Sequence, residues 1–252
     1  MSLIEFGFVT IVGIVAGIVN TLAGGGSLLT LPILIFLGLP ASTANGTNRV
    51  AVFVQNMTAI AGFQSKGFRD VKYGLVLSIP AVIGAIAGAL VAIDISDTAF
   101  ERVLGILMLV VVGVILWNPT RRFGKAGERL SPKHKWLAAF VFLFVGFYGG
   151  FIQAGVGIFI IATLTLVNGL DLVLTNSYKV VINSIFTLIA LLVFAFHGEV
   201  NWVVGLLLAI GMGMGGWLGS HLAVDKGEPL IRAVLVIAVV SMALKLLIGF
   251  PG

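Results

Sequence analysis

The stretch NTLAGGGSLLTLPILIFLGLPASTANGTNRV, residues 20–50, decides the fold. Its middle, from Leu28 to Leu39, is apolar enough for lipid, yet Gly24, Gly25 and Gly26 precede it and Asn45, Thr47, Asn48 and Arg49 follow it. Glycine costs a helix interior about 1 kcal/mol per residue relative to alanine. A triplet therefore ends a helix. From Ser27 to Gly38 is 12 residues, about 18 Å as helix, well short of the roughly 30 Å of hydrocarbon in a bilayer. The stretch thus reads as a helix broken inside a membrane, with Ser27 the expected N-cap of the segment that follows.

The whole chain has the composition such a break needs. Hydrophobic residues make up 59% of the 252 and charged residues 10%, against roughly 25% charge in an ordinary soluble domain; mean hydropathy is +1.16. Segments 6–22, 72–93, 99–117, 136–153, 202–222 and 230–250 are each near the length of a helical span, and their apolar runs are continuous rather than alternating, which excludes a β-barrel. The start MSLIE carries an acid and no base, unlike a cleaved signal peptide, so the first helix is expected to stay. With no cysteine, disulfides, thiol catalysis and thiolate-bound metal are excluded.

Most of the basic residues behind the net charge of +5 lie in loops. Its densest block, NPTRRFGKAGERLSPKHKW at 118–136, is a short basic loop between hydrophobic helices, the composition of a cytoplasmic loop. With that loop inside, the acidic VAIDISDTAFE lies outside and QSKGFRDVK returns inside. Nucleic acid is not an expected partner.

The order of features repeats. A shift of 131 places Gly67, Gly74, Gly84 and Gly88 on Gly198, Gly205, Gly215 and Gly219; a shift of 130 places Arg49 on Lys179 and Arg102 on Arg232; a shift of 133 places Gly17, Asn20 and Gly24 on Gly150, Gln153 and Gly157. Corresponding loops carry opposite charge character: basic 65–72 matches FHGEVN at 196–201, and acidic 93–101 matches VDKGEP at 224–229. The fold expected is all-α and polytopic, two inverted repeats of five helical segments: 1–118 and 136–252, joined by a basic cytoplasmic linker at 119–135. Secondary transporters built this way bind substrate near the midplane, where broken helices of the two repeats meet.

The second break is GGFIQAGVGIF, where Gly155 and Gly157 precede the short apolar segment 158–168. A helix that starts inside the membrane presents unpaired N–H groups and the positive end of its dipole, which suits an anion. Glycines in GAIAG at 84–88 and GMGMGGWLG at 211–219 suit helix packing instead. Arg49 and Lys179 open the apolar stretches 50–64 and 180–196, where snorkelling anchors also occur. Each follows hydroxyl and amide residues, however, and the loop before Arg49 is an outside one. The reading favoured is a polar-lined, two-cation anion site: Gly25, Gly26, Ser27, Gly155 and Gly157 by backbone N–H, Arg49 and Lys179 by charge, with Asn20, Asn45, Thr47, Asn48, Gln153, Asn176 and Asn183 completing the hydrogen bonds.

AGGGSLLTLPILIFLGLPASTANGTNRVAVFVQN, with GGFIQAGVGIFIIATL and LTNSYKVVIN in the second half, resembles the sulfite exporter TauE/SafE family. The resemblance spans essentially the whole chain, linker included. It implies a multi-pass transporter of the bacterial or archaeal inner membrane, carrying sulfur-containing anions such as sulfite, sulfoacetate or other organosulfonates. Its expected partners are that small anion and membrane lipids, with no cofactor and no metal. An anion channel, or a carrier of another small anion such as a carboxylate, stays open as the alternative.

Coupling is not legible. The acids and histidines fall near expected helix ends or in loops, so no intramembrane proton relay stands out. Facilitated flux, protons carried on the substrate, and an ion held at amides such as Asn20, Gln55, Asn56, Gln153 and Asn183 all remain. An inside-negative potential drives an anion outward by about 2.3 kcal/mol per charge per 100 mV, which makes export the expected direction. An enzyme is not expected, because HExxH, GxSxG, cysteine and a buried acid pair are all missing from the sequence.

Overall fold

The computed structural model describes residues 3–117, 127–225 and Val240. Within them the chain is helical, without strands: α1 (Leu3–Ala23), α2 (Ser27–Phe36), α3 (Ala41–Ser65), α4 (Lys72–Asp94), α5 (Asp97–Trp117), α6 (Pro132–Phe151), α7 (Val156–Leu166), α8 (Leu172–Phe196) and α9 (Trp202–Asp225). The expected span at 230–250 lies outside the described residues, as do Lys226, Arg232 and, in the basic linker, Arg121, Arg122 and Lys125.

Hydropathy placed most helices within a few residues, and five of them (α4, α5, α6, α8 and α9) are long and apolar enough to cross a membrane. Two helices depart from expectation. α3 and α8 begin at Ala41 and Leu172, eight or nine residues before the apolar stretches that open at 50 and 180. The residues ahead of those stretches include buried polar ones, Ser42, Asn45, Thr47 and Asn48 on α3 and Thr175, Asn176 and Ser177 on α8, which face protein rather than lipid. Arg49 and Lys179 are therefore interior helix residues and not edge anchors, with relative exposures of 0% and 2%.

Helices pack through glycine. α1 lies against α9 and α4 against α6; α9 also packs on α3, and α4 on α8, while α3 and α8 pack on each other. At the α1–α9 crossing a Cβ on Gly17 would stand 2.5 Å from the Met212 carbonyl oxygen, and one on Gly215 would stand 2.9 Å from Gly17 Cα. At the α4–α6 crossing one on Gly84 would stand 2.6 Å from Phe147 N, and one on Gly150 would stand 2.5 Å from Ala85 Cα. Backbones this close leave no room for a side chain, which is the packing role expected of 84–88 and 211–219. Outward faces are apolar instead: Val76, Ile79 and Ile83 on α4 and Val203, Leu206 and Ile210 on α9 are all more than half exposed, as a lipid-facing surface requires.

Candidate functional site

The two breaks meet. α1 ends where Gly24 N–H donates to the Asn20 carbonyl (2.9 Å), with Gly24 at φ +78°. A Cβ on Gly24 would stand 2.6 Å from Gly157 Cα and 2.7 Å from Ile158 N, so the first break is in backbone contact with the second. Gly26 rather than Ser27 is the N-cap of α2; Ser27 is its first helical residue, and no side chain caps the end. The reason is steric, because Gly26 lies against α1, where a Cβ would stand 2.5 Å from Asn20 Cβ. Gly26 N–H donates to Asn20 Oδ1 (3.3 Å), which ties the start of α2 to α1 without capping its first turn.

The second break is built differently. Gln153 and Gly155 take left-handed backbone, φ +65° and +75°, and Gly155 is the N-cap of α7. A left-handed non-glycine residue costs on the order of 1–3 kcal/mol and persists only where its surroundings fix it. Those surroundings are its own bonds: Gln153 Oε1 accepts from Arg49 Nη1 (2.7 Å), its Nε2 donates to Thr187 Oγ1 (2.8 Å), and Thr187 in turn donates to Asn183 Oδ1 (3.3 Å). At both breaks donors remain over. The backbone N–H groups of Gly25, Ser27, Gly155 and Gly157 have no acceptor among the described residues.

Each buried cation reaches across to the other half of the chain. Arg49 Nη1 donates to the Gly149 carbonyl (3.0 Å), Nη2 donates to the Gly150 carbonyl and to Asn45 Oδ1 (3.3 Å), and the guanidinium carbon sits 4.7 Å from the Phe194 ring centroid. Its Nε is buried without a partner. Lys179 Nζ donates to the carbonyls of Asn20 (2.9 Å) and Thr21 (2.6 Å) and to Asn176 Oδ1 (2.7 Å). Asn45 Nδ2 donates to the Phe151 carbonyl (2.7 Å), and Asn176 Nδ2 to the Leu22 carbonyl (3.4 Å). These carbonyls end α6 and α1, the negative ends of helices that stop within the fold.

The other expected residues divide. Asn48 is fully buried, accepts from Thr30 Oγ1 (2.6 Å) and keeps an unpartnered Nδ2 beside α2. Thr47 lies apart, because its hydroxyl accepts from Asn201 N–H (2.9 Å) at the start of α9. Gln55, expected only among amides for a coupling ion, joins the first break, accepting from Asn20 Nδ2 (2.6 Å) and donating to Thr21 Oγ1 (2.7 Å); Thr21, Thr30 and Thr187 were not foreseen. The signal for Thr21, Thr30 and Thr187 was a hydroxyl on a helix of an apolar chain. It is weak, because a threonine can satisfy itself on its own helix.

The arrangement sets unused backbone donors on two helix starts in contact with each other, with two buried cations bonded to the helix ends just before them. The family described as "Sulfite exporter TauE/SafE" matches residues 9–246. Relatives along nearly the full length include a probable membrane transporter protein of Haemophilus influenzae, 30% identical over 93% of this chain and 91% of its own. The probable membrane transporter protein ORF9 of a Sinorhizobium species is 27% identical over 95% and 91%, and the probable membrane transporter protein YfcA of Escherichia coli K12 is 27% identical over 100% and 93%. No solved structure matches.

Proposed function

The chain belongs to the sulfite exporter TauE/SafE family of multi-pass membrane transporters, and from that premise we propose that it exports a sulfur-containing anion, sulfite or an organosulfonate, across the bacterial or archaeal inner membrane. The anion sits where the two breaks meet, on the N–H groups of Gly25, Ser27, Gly155 and Gly157. Arg49 and Lys179 supply the neutralising charge, and Asn20, Asn45, Asn48, Gln153, Asn176 and Asn183 hold the frame around it. Transport proceeds by alternating access, one inverted repeat rocking against the other.

The observation that carries this reading is the backbone contact of Gly24 with Gly157. It brings two helix N-termini, one from each half, to one place beside two fully buried cations. Helix starts favour negative charge, and a sulfonate or sulfite presents several oxygens to donors arriving from different directions.

Thermal shift of detergent-purified protein with sulfite, sulfoacetate, taurine, sulfate, chloride and acetate tests it, with efflux from loaded proteoliposomes at an imposed potential. Sulfite or a sulfonate is expected to stabilise the wild type, and Arg49→Ala and Lys179→Ala to abolish that response. Stabilisation by a carboxylate alone, or unchanged responses in both variants, refutes the sulfur-anion reading.

A further inference from the structure

The hydrogen bonds of the two buried cations are reciprocal. Asn45 and Arg49, on α3, bond the carbonyls of Phe151, Gly149 and Gly150 at the end of α6. Asn176 and Lys179, on α8, bond the carbonyls of Leu22, Asn20 and Thr21 at the end of α1. In each case an amide and a cation, three or four residues apart on one helix, take three carbonyls from the broken helix of the opposite half. Water usually serves the last carbonyls of a helix, but both clusters are buried, so donors must come from protein.

We propose that these are two crossed clasps: Asn45 with Arg49, and Asn176 with Lys179, are positioning residues, each the C-terminal cap in trans for the opposite half's broken helix. The clasps hold the two halves together. Each clasped helix end lies a few residues before the N–H groups that receive the anion, at 25 and 27 in one break and 155 and 157 in the other. An anion seated there competes with the carbonyls for the same ammonium and guanidinium, and drawing a cation away frees the helix end of the opposite half.

The clasps are not equal. Arg49 holds its end by a planar fork of two η-nitrogens, whereas Lys179 holds its end by one ammonium, a point charge shared with Asn176. The α1 end is the one released first. This unlocking step rests on the anion reading above; the clasps themselves stand without it.

Amide hydrogen exchange in lipid nanodiscs tests both parts. Without anion, Lys179→Met is expected to speed exchange in a peptide covering 20–28 on the order of tenfold or more, the scale of a lost charged hydrogen bond, and to leave 149–158 at wild-type rates. Arg49→Met is expected to do the converse, with Lys179→Arg and Arg49→Lys restoring protection. Should Arg49→Met fail to fold, Asn45→Ala tests the same clasp through Phe151. Rates that rise mainly in the mutated helix, in both breaks together, or in neither overturn the crossed clasps. With saturating sulfite the wild type is expected to exchange faster at 20–28 than at 149–158. If sulfite shifts the melting temperature but leaves 20–28 unchanged, the unlocking step is wrong and the anion site stands. If sulfite causes no shift and the crossed pattern persists, the anion reading fails and the clasps stand.

Discussion

Gly24→Ala separates the two demands made on the first break. The new Cβ would stand 2.6 Å from Gly157 Cα, against an ordinary carbon–carbon contact of about 3.5–4.0 Å, so the breaks must part by roughly 1 Å. Both neighbours are backbone and cannot rotate away, which places the cost in the overpacking range of about 1–3 kcal/mol. Gly24 also sits at φ +78°, which adds about 1–2 kcal/mol for any residue with a Cβ. Together these give about 2–5 kcal/mol. Two controls divide the sum. Gly38 has φ +90° with nothing within 4 Å of its Cβ position, so Gly38→Ala carries the backbone part only. Gly157 has no left-handed backbone, but its Cβ would stand 2.9 Å from the Gly24 carbonyl oxygen, so Gly157→Ala carries the contact part only. At about 2–4 °C per kcal/mol for a chain near this size, melting in detergent should rank Gly24→Ala lowest, and proteoliposome flux should fall in both contact variants but not in Gly38→Ala. A Gly157→Ala protein with wild-type melting and flux, or a Gly24→Ala no worse than Gly38→Ala, would refute the claim that the breaks touch through bare backbone.

Three further substitutions test the frame around the site. Gly150→Ala puts a Cβ 2.5 Å from Ala85 Cα at the α4–α6 crossing, and a loss of about 1–3 kcal/mol is expected in chemical denaturation. Asp97→Ala removes the carboxylate that accepts from Ala41 N–H (2.9 Å) and Ser42 N–H (3.4 Å), capping α3 from the start of α5; it should cost about 0.5–2 kcal/mol, read as a lowered melting temperature. Thr47→Val leaves Asn201 N–H without its acceptor and should cost about 1 kcal/mol, while the anion-induced thermal shift keeps its size because the hydroxyl faces α9.

Hydropathy made the lipid-facing part of this fold legible and left the protein-facing part obscure, for one physical reason. A residue such as Ile79 or Ile210 on the outer face has to be apolar, and a window average finds it. The N-terminal parts of α3 and α8 carry buried polar residues, Asn45, Thr47, Asn48 and Arg49 on one and Thr175, Asn176 and Lys179 on the other, acceptable because most of their polar atoms are hydrogen-bonded, and the same average reads them as loop. Hence both helices start earlier than the apolar stretches suggest. The breaks themselves were legible, since a glycine triplet has few uses inside a helix. What the cations bond was not. Arg49 and Lys179 stand out by charge alone, but the carbonyls that receive them lie about 100 and 158 residues away along the chain, and nothing local in a sequence marks a carbonyl.

On the two-repeat reading proposed above, the crossings carry one more piece of information. Loop glycines Gly67 and Gly198 share left-handed backbone, and Gly74 and Gly205 lie against equivalent parts of α8 and α3, near Val181 and Val50. That register equates α4 with α9 so that Gly84 and Gly88 answer to Gly215 and Gly219. Contacts give a different answer. Gly146 and Gly150 of α6 meet Ala81 and Ala85, while Gly13 and Gly17 of α1 meet Leu208 and Met212, which puts Gly84 and Gly88 in the places of Gly211 and Gly215. The two crossings are thus the same joint set one helical turn apart, about 5.4 Å along the axis. Discrete one-turn shifts are a known way for packed helices to move between states, and glycine-lined crossings, with no side chains to disengage, oppose such a slide least. On that reading, alternating access has the halves take unequal settings and exchange them, and the one-turn difference between these crossings is the offset such an exchange would reverse.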